Sequence, residues 1–184
     1  METASVTKSR RSAKTTKSVN PVGATKPLTV KGLGNTTRVQ ERSSIFAKMY
    51  RATPLERIGL IREGIAPEVL VRTGEEMGIA KEKMITLLDF TRATVNRRIK
   101  TKAALPTDYS ERIIGLQKLI GQVEIMVAES GDPSSFNAAH WVADWLERPV
   151  PALDNAKPAD FMDTIEGQEL VSSLLAKMQS GAYA

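Results

Sequence analysis

The sequence predicts an all-α protein: a disordered basic arm, a helix-turn-helix domain, and a small second helical domain. Three observations lead there. Strand signals are nearly absent, because aromatics make up 5% of the chain, β-branched residues do not run together, and no Asn-Gly or Asp-Gly hairpin turn occurs. Helix punctuation recurs from Glu41 onward, with Thr and Pro at entries and Gly at exits. The third observation is the division of charge. The 184 residues carry 26 Lys+Arg against 21 Asp+Glu, a net charge of +5, yet residues 1–40 alone hold +7 and the remainder −2. The basic pI of about 9.5 is therefore mostly a property of the first forty residues, and by itself does not argue for nucleic-acid binding.

Composition also removes whole classes of function. With no Cys there is no disulfide framework, thiol nucleophile or Cys-ligated zinc site, and a single His excludes a His-rich metal centre. No apolar run reaches the roughly 18 residues of a membrane span, and no short apolar core follows the basic start, as a secretory signal would require. The Arg/Ser/Thr-rich start imitates an organelle transit peptide, but a cytoplasmic location is the expectation.

Residues 1–40 are dominated by Ser, Thr, Lys, Gly and Pro with scattered apolar positions. Such a segment cannot bury enough surface to offset its ordering entropy. It reads as a disordered arm, either a phosphate-neutralising contact to nucleic acid or a solubilising tail. A domain over 41–107 follows. Thr53-Pro54-Leu55-Glu56 is a capping box with Pro at the first helical position, and it opens a helix with Leu55, Ile58 and Ile61 on one face, ending near Gly64. Pro67 opens the next helix, with Val69, Leu70, Thr73 and Met77 inward and Gly78 as its stop.

Residues 79–102 carry the most information. They divide into a short helix over about 81–88, a tight connection at Asp89-Phe90, and a second helix capped by Thr91. Met84, Ile85 and Leu88 form the apolar face of the first, and Val95 and Ile99 that of the second. The rest of the second helix is polar or basic: Arg92, Thr94, Asn96, Arg97, Arg98 and Lys100. From Thr91 to Lys102 there are five positive charges and no negative one. Two short helices joined tightly, the second basic outward, form the pattern of a helix-turn-helix. Arg suits guanine and Asn adenine in bidentate geometry, while Lys suits phosphate. These six residues are the candidate DNA contacts.

A second helical domain is expected over 108–184. Its first helix, about 108–129, repeats Tyr109, Ile113, Leu116, Ile120, Val123 and Val127 at alternating spacings of four and three, a seam that fits either core packing or a dimer interface. The next helix holds both tryptophans, Trp141 and Trp145, four apart on one face, as core residues or as anchors for a partner. His140 beside them has no ligand-spaced neighbours and reads as structural. Three prolines between Pro149 and Pro158 preclude a continuous helix, so this stretch reads as an ordered strap with Val150 and Leu153 packed. Pro158 can open a short helix containing Phe161 and Met162. A last helix, about 165–179, carries Leu170, Val171, Leu174, Leu175 and Met178 as its apolar stripe.

These residues resemble the Xre/MbcA/ParS family of antitoxins, the partners of RES-domain toxins. The resemblance is carried by Trp145-Leu146-x-x-Pro149-x-Pro151-Ala152-Leu153, then Lys157-Pro158, Thr164-x-x-Gly167-x-x-x-Val171, Leu174-Leu175 and Ser180-Gly181-Ala182-Tyr183. Thr91-x-x-Thr94-Val95-x-Arg97-Arg98 upstream matches the helix-turn-helix of the same family. The match spans roughly 50–184 and rests on the ordered combination. It implies an Xre/Cro-like helix-turn-helix domain that binds operator DNA for autoregulation, and a C-terminal domain that neutralises an NAD-consuming RES toxin. It also implies that the C-terminal end reaches the toxin's cleft. The expected toxin contacts are Trp141, Trp145, Leu174, Lys177, Ser180, Gly181, Ala182, Tyr183 and Ala184.

The competing expectation is a DNA-binding regulator whose C-terminal domain only mediates dimerisation. A homodimer is expected under either, since such repressors read two half-sites. An enzyme is not expected: Glu75, Glu76, Asp160 and Asp163 lie on helices without a His, Cys or Gly-rich phosphate loop nearby, and no cofactor is implied. The C-terminal domain holds five basic residues against 12 acidic ones, a polarity that suits DNA at one end and a protein at the other.

Overall fold

A computed structural model describes residues 44–131 and 135–180. The arm expected over 1–40 and the Gly181–Ala184 end of the tail lie outside the described residues. Among the described residues there are eight α-helices, two 3-10 turns and no strand.

α1 (Ile45–Arg51) begins at Ser44, whose side chain accepts from the Ala47 N–H. α2 (Pro54–Glu63) has the expected capping box: Glu56 N–H donates to Thr53 Oγ1, and Thr53 N–H donates back to the Glu56 carboxylate. α3 (Pro67–Met77) ends at Gly78 with φ 69°, a left-handed stop suited to glycine. α4 (Lys81–Leu87) and α5 (Arg92–Thr101) follow around a tight turn. α6 (Thr107–Ser130) is the longest helix, and α7 (Ala138–Leu146) packs beside it. Two 3-10 turns, Pro151–Leu153 and Pro158–Phe161, form the strap, and α8 (Ile165–Gln179) closes the chain.

The described elements form one compact unit with α6 as its spine. α6 packs against α1, α2, α7 and α8, which explains the fate of its repeat: Tyr109, Ile113, Leu116, Ile120 and Val123 are all buried. The seam is core, and little of it remains for a second copy. One core cluster runs from Leu70 and Met77 through Val95 and Ile113 to Leu146, Met162 and Leu175. Polar side chains inside it are paired. Gln117 donates to Thr73 Oγ1 at 3.0 Å. Gln122 exchanges two hydrogen bonds with Ser172, and Gln168 donates to the Arg112 and Met162 carbonyls. Such satisfied pairs fix the register of α6 against α3 and α8 at little net cost.

Two expected faces differ from the structure. α2 has no buried residue: Leu55 and Ile58 are exposed, and only Arg57 and Ile61 are half-buried. The helix rests on its edge because α1, a short helix that the sequence reading did not single out, occupies the α6 surface with Phe46, Ala47 and Met49. On α8, Val171, Leu174 and Leu175 are buried but Leu170 and Met178 face solvent, so its core stripe is narrower than its apolar composition.

Candidate nucleic-acid interface and partner face

The turn between α4 and α5 is held from α6. Asp89 adopts a left-handed backbone (φ 48°), costly for a non-glycine residue. Its neighbours secure it: Phe90 N–H donates to Ile85 O at 2.8 Å, and the Phe90 ring stacks on Tyr109 with centroids 4.0 Å apart. The Arg112 guanidinium lies over both rings and donates to the Leu88 carbonyl at 2.7 Å and the Asp89 carbonyl at 3.3 Å. Thr91 N–H, at the entry to α5, donates to Tyr109 Oη at 2.9 Å. Tyr109 and Arg112 therefore set where α5 starts and which way it points.

α5 buries Val95 and half-buries Ile99. The helical period then turns Ala93, Asn96, Arg97 and Lys100 directly outward, and all four are exposed. Arg92 is exposed at the first turn. Thr94 and Arg98 are half-buried on the flank, and Arg98 Nε is buried with no hydrogen-bond partner among the described residues. The structure thus places Asn96, Arg97 and Lys100 on one open face and Thr94 and Arg98 at its margin. Asn96 Oδ1 accepts from Lys81 Nζ at 3.1 Å, which orients the amide and brings Lys81, at the start of α4, beside the basic face. The sequence reading passed over Lys81 because it belongs to the preceding helix.

The second candidate surface is built by α7, the strap and α8. Trp141 stacks on Trp145 at 5.8 Å, and Phe136 adjoins Trp141 at 6.2 Å, a ladder running from solvent into the core. Trp145 and Leu174, expected as toxin contacts, are buried. They support the surface from beneath and could meet a partner only through rearrangement. Trp141 is half-buried, and Lys177 and Ser180 are exposed. Leu170 and Met178, classed by periodicity as core, are also exposed on α8: Leu170 on the flank of its buried stripe, and Met178 where that stripe runs on past the core toward the helix end.

The Thr164-x-x-Gly167 pattern has a local cause. Thr164 Oγ1 accepts from Gly167 N–H at 3.1 Å as the cap of α8, and a Cβ at Gly167 would run into the Phe161 carbonyl. Only glycine lets the strap cross that close to the helix. Glu147 ties the strap to α4. Its carboxylate receives Lys83 Nζ at 3.0 Å and Lys157 Nζ at 3.1 Å, and bonds to these two lysines hold it below the usual carboxylate value. Among the described residues no cluster of His, Asp and Glu is suited to a metal ion. His140, exposed on α7, lies against the Gly78 stop of α3.

Residues 56–118 match the family model described as the antitoxin Xre-like helix-turn-helix domain. Residues 134–181 match that of the antitoxin Xre/MbcA/ParS C-terminal toxin-binding domain. A protein of Sphingobium sp. (strain YBL2) named Prs ADP-ribosylating antitoxin is 43% identical over 139 residues, covering 76% of this chain and 87% of the relative.

Proposed function

The chain belongs to the Xre/MbcA/ParS antitoxin family, and from that membership we propose that it neutralises a RES-type, NAD-degrading toxin and represses its own operon through α5. The observation that carries the reading is the union, in one packed unit, of an open basic helix face held from α6 with an α7–strap–α8 segment matching a toxin-binding domain. The relative's name couples an antitoxin to ADP-ribosylation. That chemistry spends NAD and supports an NAD-consuming partner.

In this reading α5 enters the major groove. Arg97 and Asn96 reach base edges, and Lys81, Arg92 and Lys100 neutralise phosphates. Thr94 and Arg98 touch the backbone from the margin. Two copies of the chain read two half-sites. The toxin docks on the outer face of α8 and on Trp141, with Leu170, Lys177 and Met178 as contacts, while Trp145 and Leu174 hold that face in shape. The 180–184 tail then occludes the toxin's cleft. The protein acts in the cytoplasm by binding and carries out no catalysis of its own; among the described residues no helix is long and apolar enough to cross a membrane.

The test is co-expression with a RES-domain toxin. The expected result is co-purification, preserved cellular NAD and rescued growth, and loss of operator binding on mutation of α5 but not of α8. A chain that binds operator DNA yet neither co-purifies with the toxin nor rescues growth is instead a regulator whose C-terminal half serves dimerisation.

A further inference from the structure

α2 is the only described α-helix that buries no residue. Its outward face is Leu55, Ile58, Gly59 and Arg62, spaced as neighbours on one side of a helix. Leu55 is 77% exposed and Ile58 41%, and a Cβ at Gly59 would meet nothing within 4 Å. Apolar grooves flank the helix on both sides, one floored by Ile114 and Leu119, the other by Met49 and Ile65. Ile58, Gly59 and Arg62 lie inside the helix-turn-helix match and Leu55 directly precedes it, while the groove floored by Ile114 and Leu119 is walled on its far side by Ile165 and Glu169 of α8, inside the toxin-binding match.

We propose that the outward face of α2 is where two copies of this chain pair, antiparallel about a two-fold axis near Ile58 and Gly59. In that arrangement Ile58 of each copy sits over Gly59 of the other, where the missing side chain lets the helices approach closely. Leu55 is covered by the stem of the opposite Arg62. The charges match as well: Arg62 of each copy comes level with Glu56 of the other, giving the same ion pair twice, as a two-fold contact requires. Glu56 can take part without giving up its cap, because both bonds with Thr53 use Oε2. Arg57 is held inward by the Met49 and Ala52 carbonyls and leaves the face apolar at its centre. A second copy is the occupant that a helix-turn-helix reading paired half-sites needs on this domain; in that respect the inference rests on the DNA-binding reading.

Sedimentation of the full chain over a concentration series tests this, with circular dichroism as the control for folding. The wild type should be a dimer, and Leu55→Glu should weaken pairing by about tenfold or more with unchanged helicity. Because the chain has no cysteine, Gly59→Cys should cross-link two copies rapidly under mild oxidation, while Ala128→Cys, exposed on α6, should not. The proposal is overturned by a monomeric wild type, by a dimer indifferent to Leu55→Glu, or by equal cross-linking at both positions. It is also overturned if Leu55→Glu abolishes toxin capture while the dimer persists, which would give the face to the toxin. A wild-type dimer that fails to bind operator DNA would refute the DNA reading and leave this proposal standing.

Discussion

At the scale of single residues, exposure separates the proposed DNA contacts of α5 from the residues that hold the helix in place. Arg97 and Asn96 project from the outward face of α5, and replacing either by Ala should weaken operator binding by about 1–3 kcal/mol and relax sequence preference at one position. Band-shift titrations on operator and scrambled DNA measure both effects. If Arg97→Ala lowers affinity equally for every sequence, Arg97 anchors phosphate and does not read a base. Lys100→Ala should instead reduce the salt slope of binding by about one unit. Arg112 touches no outward residue of α5, yet it donates to Leu88 and Asp89 and stacks on Phe90 and Tyr109. Arg112→Ala should therefore lower operator affinity while leaving toxin capture intact, because what it loses is the aim of α5.

At the scale of elements, the cap signals were the most legible part of the chain. Thr53-Pro54-x-Glu56 and the Gly78 stop are local chemistry, and the structure reproduces both. The faces of helices were less legible, because burial depends on what else competes for the surface. The heptad of α6 could have served a partner but was consumed by α1, α2, α7 and α8. Leu55 and Leu170 carry the same apolar character as Leu70 and Leu174, and only packing tells them apart. The outer face of α8 follows from this. Leu170→Ala or Met178→Ala should leave thermal stability nearly unchanged but weaken toxin capture. Leu174→Ala should cost about 2–5 kcal/mol of stability. Calorimetry beside pull-down separates the two kinds of loss.

The strap carries a pH signature. Lys83 and Lys157 hold Glu147 below its usual value of 4.5, so the tie between α4 and the strap is fully present above that value. It is lost as the pH falls through the depressed one. The pair is partly solvated, with the Glu147 side chain 38% exposed, so its contribution is about 0.5 kcal/mol. Wild type and Glu147→Gln should differ by that small amount at neutral pH and converge under acid, as denaturant titrations at several pH values would show.

At the scale of the molecule, the charge division takes on a structural meaning. The basic stretch at Thr91–Lys102 is gathered on one helix in a described region that is otherwise acidic. The segment matching a toxin-binding domain carries most of its acid on exposed positions such as Asp144, Asp163 and Glu169. α6 joins the two, reaching the α5 entry through Tyr109 and Arg112 and α8 through Gln122 and the Arg112 carbonyl that Gln168 binds. In the proposed function, one packed unit serves both DNA and a toxin that destroys NAD.

The most direct test follows cellular NAD after induction of a RES-domain toxin, in cells expressing the full chain, a deletion of residues 180–184, or no antitoxin. NAD should be preserved by the full chain, fall partially with the deletion and collapse without antitoxin. NAD that collapses equally with and without the full chain would contradict the proposed function.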